Sequence, residues 1–388
     1  MNASYPVDAR KVLITGMGLV GPKIACASDL WQLLLNERHP VPSSFDTPAY
    51  VGAHRVFGAG DNGRAWPSRT ERLALQACEE AVADASLAAV QLRAAGVFWG
   101  SGLGSIDSFE AEGEVAAGFE HQLYEISHAI AAKYQCSGPN QVISTACTAS
   151  LNAIGLAAER IACGEVELLL VGGAEICSQI SLACFDRLGG LDGDRCRPFD
   201  RTRAGTVFGE GAGVLVLESE AHFLARAGKR AYCSVDGFGW SCDAYHPTAP
   251  EPTGAAIVMS MQDALTQAGV DASTIGCIIP HGTGTRLNDE VEAGALQQLL
   301  GAQLARTPVL PLKAYIGHGA GAAGVFSSVA AALICHHRMV PPAANCEQPE
   351  FALHLPSHAE AVPHLQHVLI NGCAFGGNNT TVLMGVIE

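Results

Sequence analysis

The chain has 388 residues, of which 48% are hydrophobic and only 16% charged, and its net charge is −15. That length suggests two or three domains with room for a large core, and the low charged fraction fits a compact enzyme with some apolar surface to cover. An acidic chain without a basic cluster excludes a nucleic-acid binder, because phosphate contacts need lysine and arginine.

Short apolar runs alternate with helical spacing along the chain, the pattern of an α/β fold. Residues 12–15 read as a strand closed by Gly16, 70–85 as a helix, and 97–99 as a strand ending at Gly100. Residues 142–144 form a short strand before an alanine-rich helix at 149–163, and strands follow at 168–171 and 213–217. After about Ala227 a similar order restarts, with a strand at 233–238, a helix at 254–268, and strands at 276–279 and 309–312. A hairpin of 367–371 and 380–386 ends the chain, and 340–345 reads as a surface connection. The two parts expected are 1–227 and 228–388, sharing one core because no low-complexity linker separates them. The apolar run 316–335 contains His318, glycines and serines, so a buried turn and helix is expected there, not a membrane span.

The N-terminus lacks the basic and apolar pattern of a signal peptide, so a cytoplasmic chain is expected. Fourteen cysteines are scattered with no Cys-x-x-Cys pair, and they read as buried, reduced small hydrophobes with no metal set. One needs a different reading. Cys147 lies in Ile-Ser-Thr-Ala-Cys-Thr-Ala-Ser (143–150), between a short strand and a helix whose free N–H groups would lower its pKa. His281 opens His-Gly-Thr-Gly-Thr (281–285) after a strand, in a run that continues to Asp289 and is followed by Glu292. Lys313 and His318 stand five residues apart, the latter in Gly-His-Gly-Ala-Gly-Ala-Ala-Gly (317–324). Phe-Gly-Gly-Asn-Asn (375–379) can bring backbone N–H groups close to a ligand. A thiol that carries an acyl group and two imidazoles that steady an oxyanion are the parts needed to join two thioesters.

These signatures, in this order, resemble the β-ketoacyl synthase family of condensing enzymes. Arg-Pro-Phe-Asp (197–200) with Arg203, and the stretch from Asp243 to Pro250, add to the likeness. The resemblance implies a thiolase-like α/β fold, two related halves in a five-layered αβαβα arrangement that works as a dimer. It makes Cys147 the nucleophile and His281 and His318 the pair facing the extender unit. Lys313 and Glu292 would form a supporting ion pair, Phe375 would gate the acyl pocket, and Thr283, Thr285, Gly376 and Gly377 would bind substrate. No cofactor is implied, since phosphopantetheine arrives on an acyl carrier protein bearing acyl or malonyl groups. Carrier docking is expected at Arg64, Arg69 and Arg72, and next at Arg201 and Arg203. The short chain and its Phe-Gly-Gly-Asn-Asn loop resemble the small ketosynthases of bacterial aryl polyene pathways. A homodimer is expected, or a heterodimer with a related subunit. The alternative reading is a chain-length-factor-like subunit, which Cys147 argues against; a thiolase or a priming synthase fits the Cys-His-His set less well.

Overall fold

The computed structural model describes residues 10–36, 38–45, 54–57, 68–111 and 122–387. Nine strands form the main sheet: β1 (Val12–Val20), β2 (Gly96–Gly100), β3 (Asn140–Ile143), β4 (Leu168–Glu175), β5 (Gly211–Ser219), β6 (Cys233–Cys242), β7 (Ile275–Ile279), β8 (His367–Cys373) and β9 (Asn378–Gly385). Their order is β7-β8-β9-β6-β1-β5-β4-β2-β3. β1, β4 and β5 are buried along their whole length, which is why they read as continuous apolar runs; a sheet covered on both faces has no polar side to alternate with.

The order is a duplication. In the first half β2 runs parallel to β3 and β4, and β5 is antiparallel to β4 and β1. In the second half β7 is parallel to β8, and β9 is antiparallel to β8 and β6. The halves meet where β1 and β6 pair at Leu13–Ser234 and Ile14–Cys233. The strand expected at 309–312 is reduced to a parallel bridge between Val309 and Ile278, because Pro311 has no N–H to continue a ladder. That bridge occupies the place that β3 holds in the first half. Cys147 follows β3, and Lys313 follows the bridge.

Five helices complete the layers: α1 (Arg69–Asp84), α2 (Ala149–Ala162), α3 (Ala255–Ala268), α4 (Arg286–Leu300) and α5 (Ala323–His337). α1 covers β1 and β5 on one outside, α3 covers β6 and β9 on the other with α4 against it, and α2 and α5 pack together between the half-sheets. One apolar core takes Ile14, Leu151, Val329 and Ile370 from both halves. The apolar stretch Ala320–His337 is 83% buried inside it, as the glycines and serines implied. Residues 340–345 are a different matter. Val340, Ala344 and Asn345 are buried, the Pro342 carbonyl accepts from the Tyr315 hydroxyl at 2.6 Å, and the Asn345 amide donates to Cys196 and Ala314 carbonyls. The prolines mark an internal strap over the turn that carries Lys313, not a surface loop.

α2 and α5 approach so closely that a Cβ on Gly324 would lie 2.4 Å from the Leu151 nitrogen. Gly324→Ala is expected to cost about 1–3 kcal/mol through overpacking. Gly294→Ala, on an exposed part of α4 with nothing within 4 Å, should stabilise by about 0.5–1 kcal/mol. Urea unfolding of the two variants checks the pair; equal midpoints would refute the close crossing.

Candidate active site

Cys147 sits in a single 3-10 turn, Ala146–Thr148, between β3 and α2. Ala146 has φ 50°, a left-handed conformation that a residue with a Cβ adopts only under constraint. This elbow carries the thiol to the floor of a cavity of about 460 Å³, whose lining includes His281 and His318. His318 Nε2 lies 3.1 Å from Cys147 Sγ. The two imidazoles stand edge to face, 5.3 Å between centroids and 88° between planes. One ligand atom from each of Cys147, His281 and His318 falls within 4.8 Å of the others. The three side chains singled out in the sequence therefore converge on one point.

His281 is fixed from two sides. Lys313 Nζ donates to the His281 carbonyl and approaches its Nδ1 at 3.3 Å. An ammonium can only donate, so Nδ1 accepts and the ring proton is on Nε2, towards the site. From the other side Glu292 accepts the backbone N–H groups of His281 and Gly282 at 2.7 and 2.8 Å. The expected Lys313–Glu292 ion pair is thus corrected. The two residues make no direct contact; they grip the same peptide, and their attraction acts through space. Asp289 adds a second clamp, accepting from the N–H groups of Thr283, Gly284 and Phe199. His318 is held by its backbone, bridged to Val207 and Gly209, with Phe208 stacked on its ring.

The electrostatics differ from the sequence expectation at the cysteine. Burial pushes the Cys147 thiol up to about 11, outweighing Lys313 and the backbone N–H groups of Phe375 and Cys147, which pull down. Those two N–H groups nevertheless face the sulfur, the position expected of an oxyanion hole. Burial, then the charge of Lys313, holds both histidines well below the usual imidazole range, so both rings are neutral at pH 7. A Cys-His-His cluster of this span has the ligands for a metal ion. The Lys313 ammonium behind His281 opposes a dication and favours an anion.

The rest of the expected set divides. Thr283, Thr285, Phe375 and Gly377 line the cavity. Phe375 stacks on Phe185 at 5.2 Å, and Gly376 and Gly377 take φ 85° and 77°, as their loop requires. Gly376 bonds to the Pro247 carbonyl and shapes that loop from behind. The docking arginines fare worse. Arg64 lies outside the described residues. Arg72 is buried, and Arg69 holds Glu210 through two bonds of 2.6 and 2.5 Å. Arg203 is also buried, paired with Glu350 and near Asp289; Arg201 is exposed. Of the arginines expected as a surface patch, Arg69 serves the buried Glu210 and Arg203 lies against the buried Asp289.

Sequence reasoning missed Glu175. This fully buried carboxylate closes β4 and accepts from the Ser101 hydroxyl and the N–H groups of Gly102, Leu103 and Gly321 at 2.6–3.2 Å. It ties the end of β2 to the loop after His318. The one signal was an acid ending an otherwise apolar strand.

A buried thiol facing two neutral imidazoles, set where two duplicated α/β halves meet, defines a thiol-based condensing enzyme of the thiolase-like class. Residues 9–222 match the β-ketoacyl synthase N-terminal domain, and 232–347 its C-terminal domain. The 3-oxoacyl-[acyl-carrier-protein] synthase 2 of Rhizobium meliloti is 33% identical, over 97% of this chain and 98% of that one. The solved structure of the ishigamide ketosynthase/chain length factor matches with TM-score 0.89 and 30% identity, covering 98% of this chain and 100% of that one. A type II polyketide acyl-carrier protein in complex with its ketosynthase (AntDE:AntF) matches with TM-score 0.86 and 26% identity, covering 98% and 100%. The chain belongs to the β-ketoacyl synthase family, and is an acyltransferase of the condensing type.

Burial raises Glu292 from 4.5 to about 7. The folded chain keeps this proton where the unfolded chain has released it, so Glu292 contributes stability that is lost as pH rises towards and through about 7. Relative to Glu292→Gln, the wild type should lose stability between about pH 5 and 8. Urea midpoints for both chains across that range read the gap; a gap that is constant, or that moves in the wild type's favour, contradicts a raised Glu292.

Proposed function

We propose that the chain condenses an acyl group with a malonyl unit, both delivered on phosphopantetheine by an acyl carrier protein, to give a β-ketoacyl product. Cys147, His281 and His318 would be the catalytic residues, with Lys313 and Glu292 as positioning residues. The 3.1 Å approach of His318 Nε2 to Cys147 Sγ carries the reading.

In the first half-reaction the Cys147 sulfur attacks the acyl thioester carbon. The phosphopantetheine thiol leaves with the proton that the cysteine gives up, and the acyl group stays on sulfur. The carbonyl oxygen of that step lies with the backbone N–H groups of Cys147 and Phe375. Malonyl thioester then loses carbon dioxide, and the electron pair of the broken bond becomes an enolate. Its oxygen takes the Nε2–H bonds of His281 and His318, each worth roughly 3–4 kcal/mol in the transition state by analogy with known oxyanion donors. The enolate carbon attacks the acyl carbonyl carbon, and Cys147 leaves as a thiolate, which takes up a proton from solvent. Neutral imidazoles suit this order, since a cation would hold the carboxylate that must depart.

A tunnel-shaping subunit without chemistry is disfavoured by the intact set of three. The ishigamide ketosynthase/chain length factor supports a paired arrangement, with a second copy or a related subunit. The small Phe-Gly-Gly-Asn-Asn loop supports an aryl polyene type of pathway, and the burial of its longest apolar helix supports a cytoplasmic site of action.

Incubation with acyl carrier protein bearing an acyl thioester should add one acyl mass to the wild type and none to Cys147→Ala. His281→Ala and His318→Ala should keep the acylation and lose about 10²–10³-fold in condensation. Acylation of Cys147→Ala, or undiminished condensation in the histidine variants, would refute the assignment.

A further inference from the structure

The segment 205–208 touches both loops that carry an imidazole. A Cβ on Gly284 would lie 2.7 Å from the Gly205 carbonyl oxygen, so the His281 loop packs directly on this segment. From the other side the Val207 carbonyl accepts the His318 N–H at 2.8 Å, and Phe208 stacks on the His318 ring. Thr206 stands between these contacts. Its N–H donates to the Gly190 carbonyl, and its own carbonyl accepts the Asp192 N–H, each at 2.8 Å. The backbone is therefore fixed, and the side chain lines the Cys147 cavity.

That side chain is 1% exposed, and its hydroxyl has no hydrogen bond among the described residues. The neighbouring Cys196 thiol donates to the Thr283 carbonyl at 3.3 Å, so it offers the hydroxyl only a weak sulfur acceptor. Thr283, the other buried hydroxyl of the wall, already reaches Thr285 at 2.9 Å. A buried polar group without a partner is costly, and in the wall of a substrate cavity the substrate can bring that partner. The extender is the substrate that brings charge. A malonyl unit enters with a carboxylate, yet the one cation among the described lining residues is the exposed Arg286. Lys313 is engaged by the His281 carbonyl and Nδ1, and both imidazoles are neutral.

We propose that the Thr206 hydroxyl is the hydrogen-bond donor to the extender's carboxylate, and so sets the cavity's selectivity for malonyl over groups that lack the acid. The inference rests on the ketosynthase reading. With the thioester oxygen on the two imidazoles, the carboxylate lies two bonds from the thioester carbon, beside the segment that touches both loops. A rotation about χ1 exchanges hydroxyl and methyl without moving the backbone, which brings the donor out of the wall. A neutral hydroxyl holds an anion less firmly than a cation would. As carbon dioxide forms, the charge passes to the enolate and the bond weakens. Thr206 therefore stabilises the bound extender more than its transition state, which lowers KM and does not raise kcat.

The test uses Thr206→Val and Thr206→Ala, which lack the hydroxyl, and Thr206→Ser, which keeps it, with thermal unfolding to confirm the fold. Condensation is followed on enzyme already acylated at Cys147, with malonyl carrier protein varied. The rate of acylation from acyl carrier protein is read separately, because that substrate has the same carrier and phosphopantetheine arm but no carboxylate. The valine and alanine variants should raise the malonyl KM by about tenfold, with kcat unchanged or higher. The serine variant should restore the wild-type KM, and acylation should proceed alike in all four chains. An unchanged malonyl KM, a fall in kcat at constant KM, an equal loss in acylation, or no rescue by serine overturns the assignment. A wild type that acyl carrier protein does not acylate overturns the ketosynthase reading itself, and the assignment with it.

Discussion

The site depends on one buried contact, the Lys313 ammonium against His281. It reaches both the carbonyl and Nδ1 of the same residue, which fixes a ring and a tautomer together. Burial opposes the lysine charge, and Glu292 restores part of it from across the peptide. Without that cation, His281 Nδ1 could carry the proton and leave a lone pair where a donor is needed. Burial, and then the same charge, keeps both imidazoles neutral, and the charge offsets part of the burial cost of a thiolate at Cys147. One ammonium thus acts on all three groups, second in each case to burial.

Duplication explains how such a contact is built. Cys147 follows the edge strand of one half, and Lys313 follows the equivalent bridge in the other, which brings the thiol to the cavity and the ammonium behind His281. The loops that carry the chemistry are then tied down by buried carboxylates. Glu292, Asp289 and Glu175 each accept backbone N–H groups of loops that glycine makes bendable. A buried acid is costly unless its oxygens are satisfied. Here the donors are the peptides that must not move, so the cost is offset where rigidity matters.

Much of this was legible in the sequence, and the pattern of what was not is physical. Cys147, His281 and His318 were visible because small-residue motifs surround each one, and the strands because apolar runs report burial. The strand at 309–312 failed because hydropathy does not register the missing N–H of Pro311. The strap at 340–345 failed because proline and alanine look alike on a surface and in an interior; Tyr315 decided it through a hydrogen bond far along the chain. The thiol was expected low from its helix start, yet burial outweighed the helix. Arg69 and Arg203 looked like surface charge because their acids, Glu210, Asp289 and Glu350, are remote in sequence. Partners that fold brings together are the part a linear reading loses.

The most direct test of the account is the ¹⁵N resonance pattern of the His281 imidazole in the resting enzyme, followed from about pH 5 to 8 with Lys313→Met for comparison. The account predicts a neutral ring protonated at Nε2 throughout, with that preference weakened when the ammonium is removed. A ring protonated at Nδ1, or an imidazolium within that range, would contradict it.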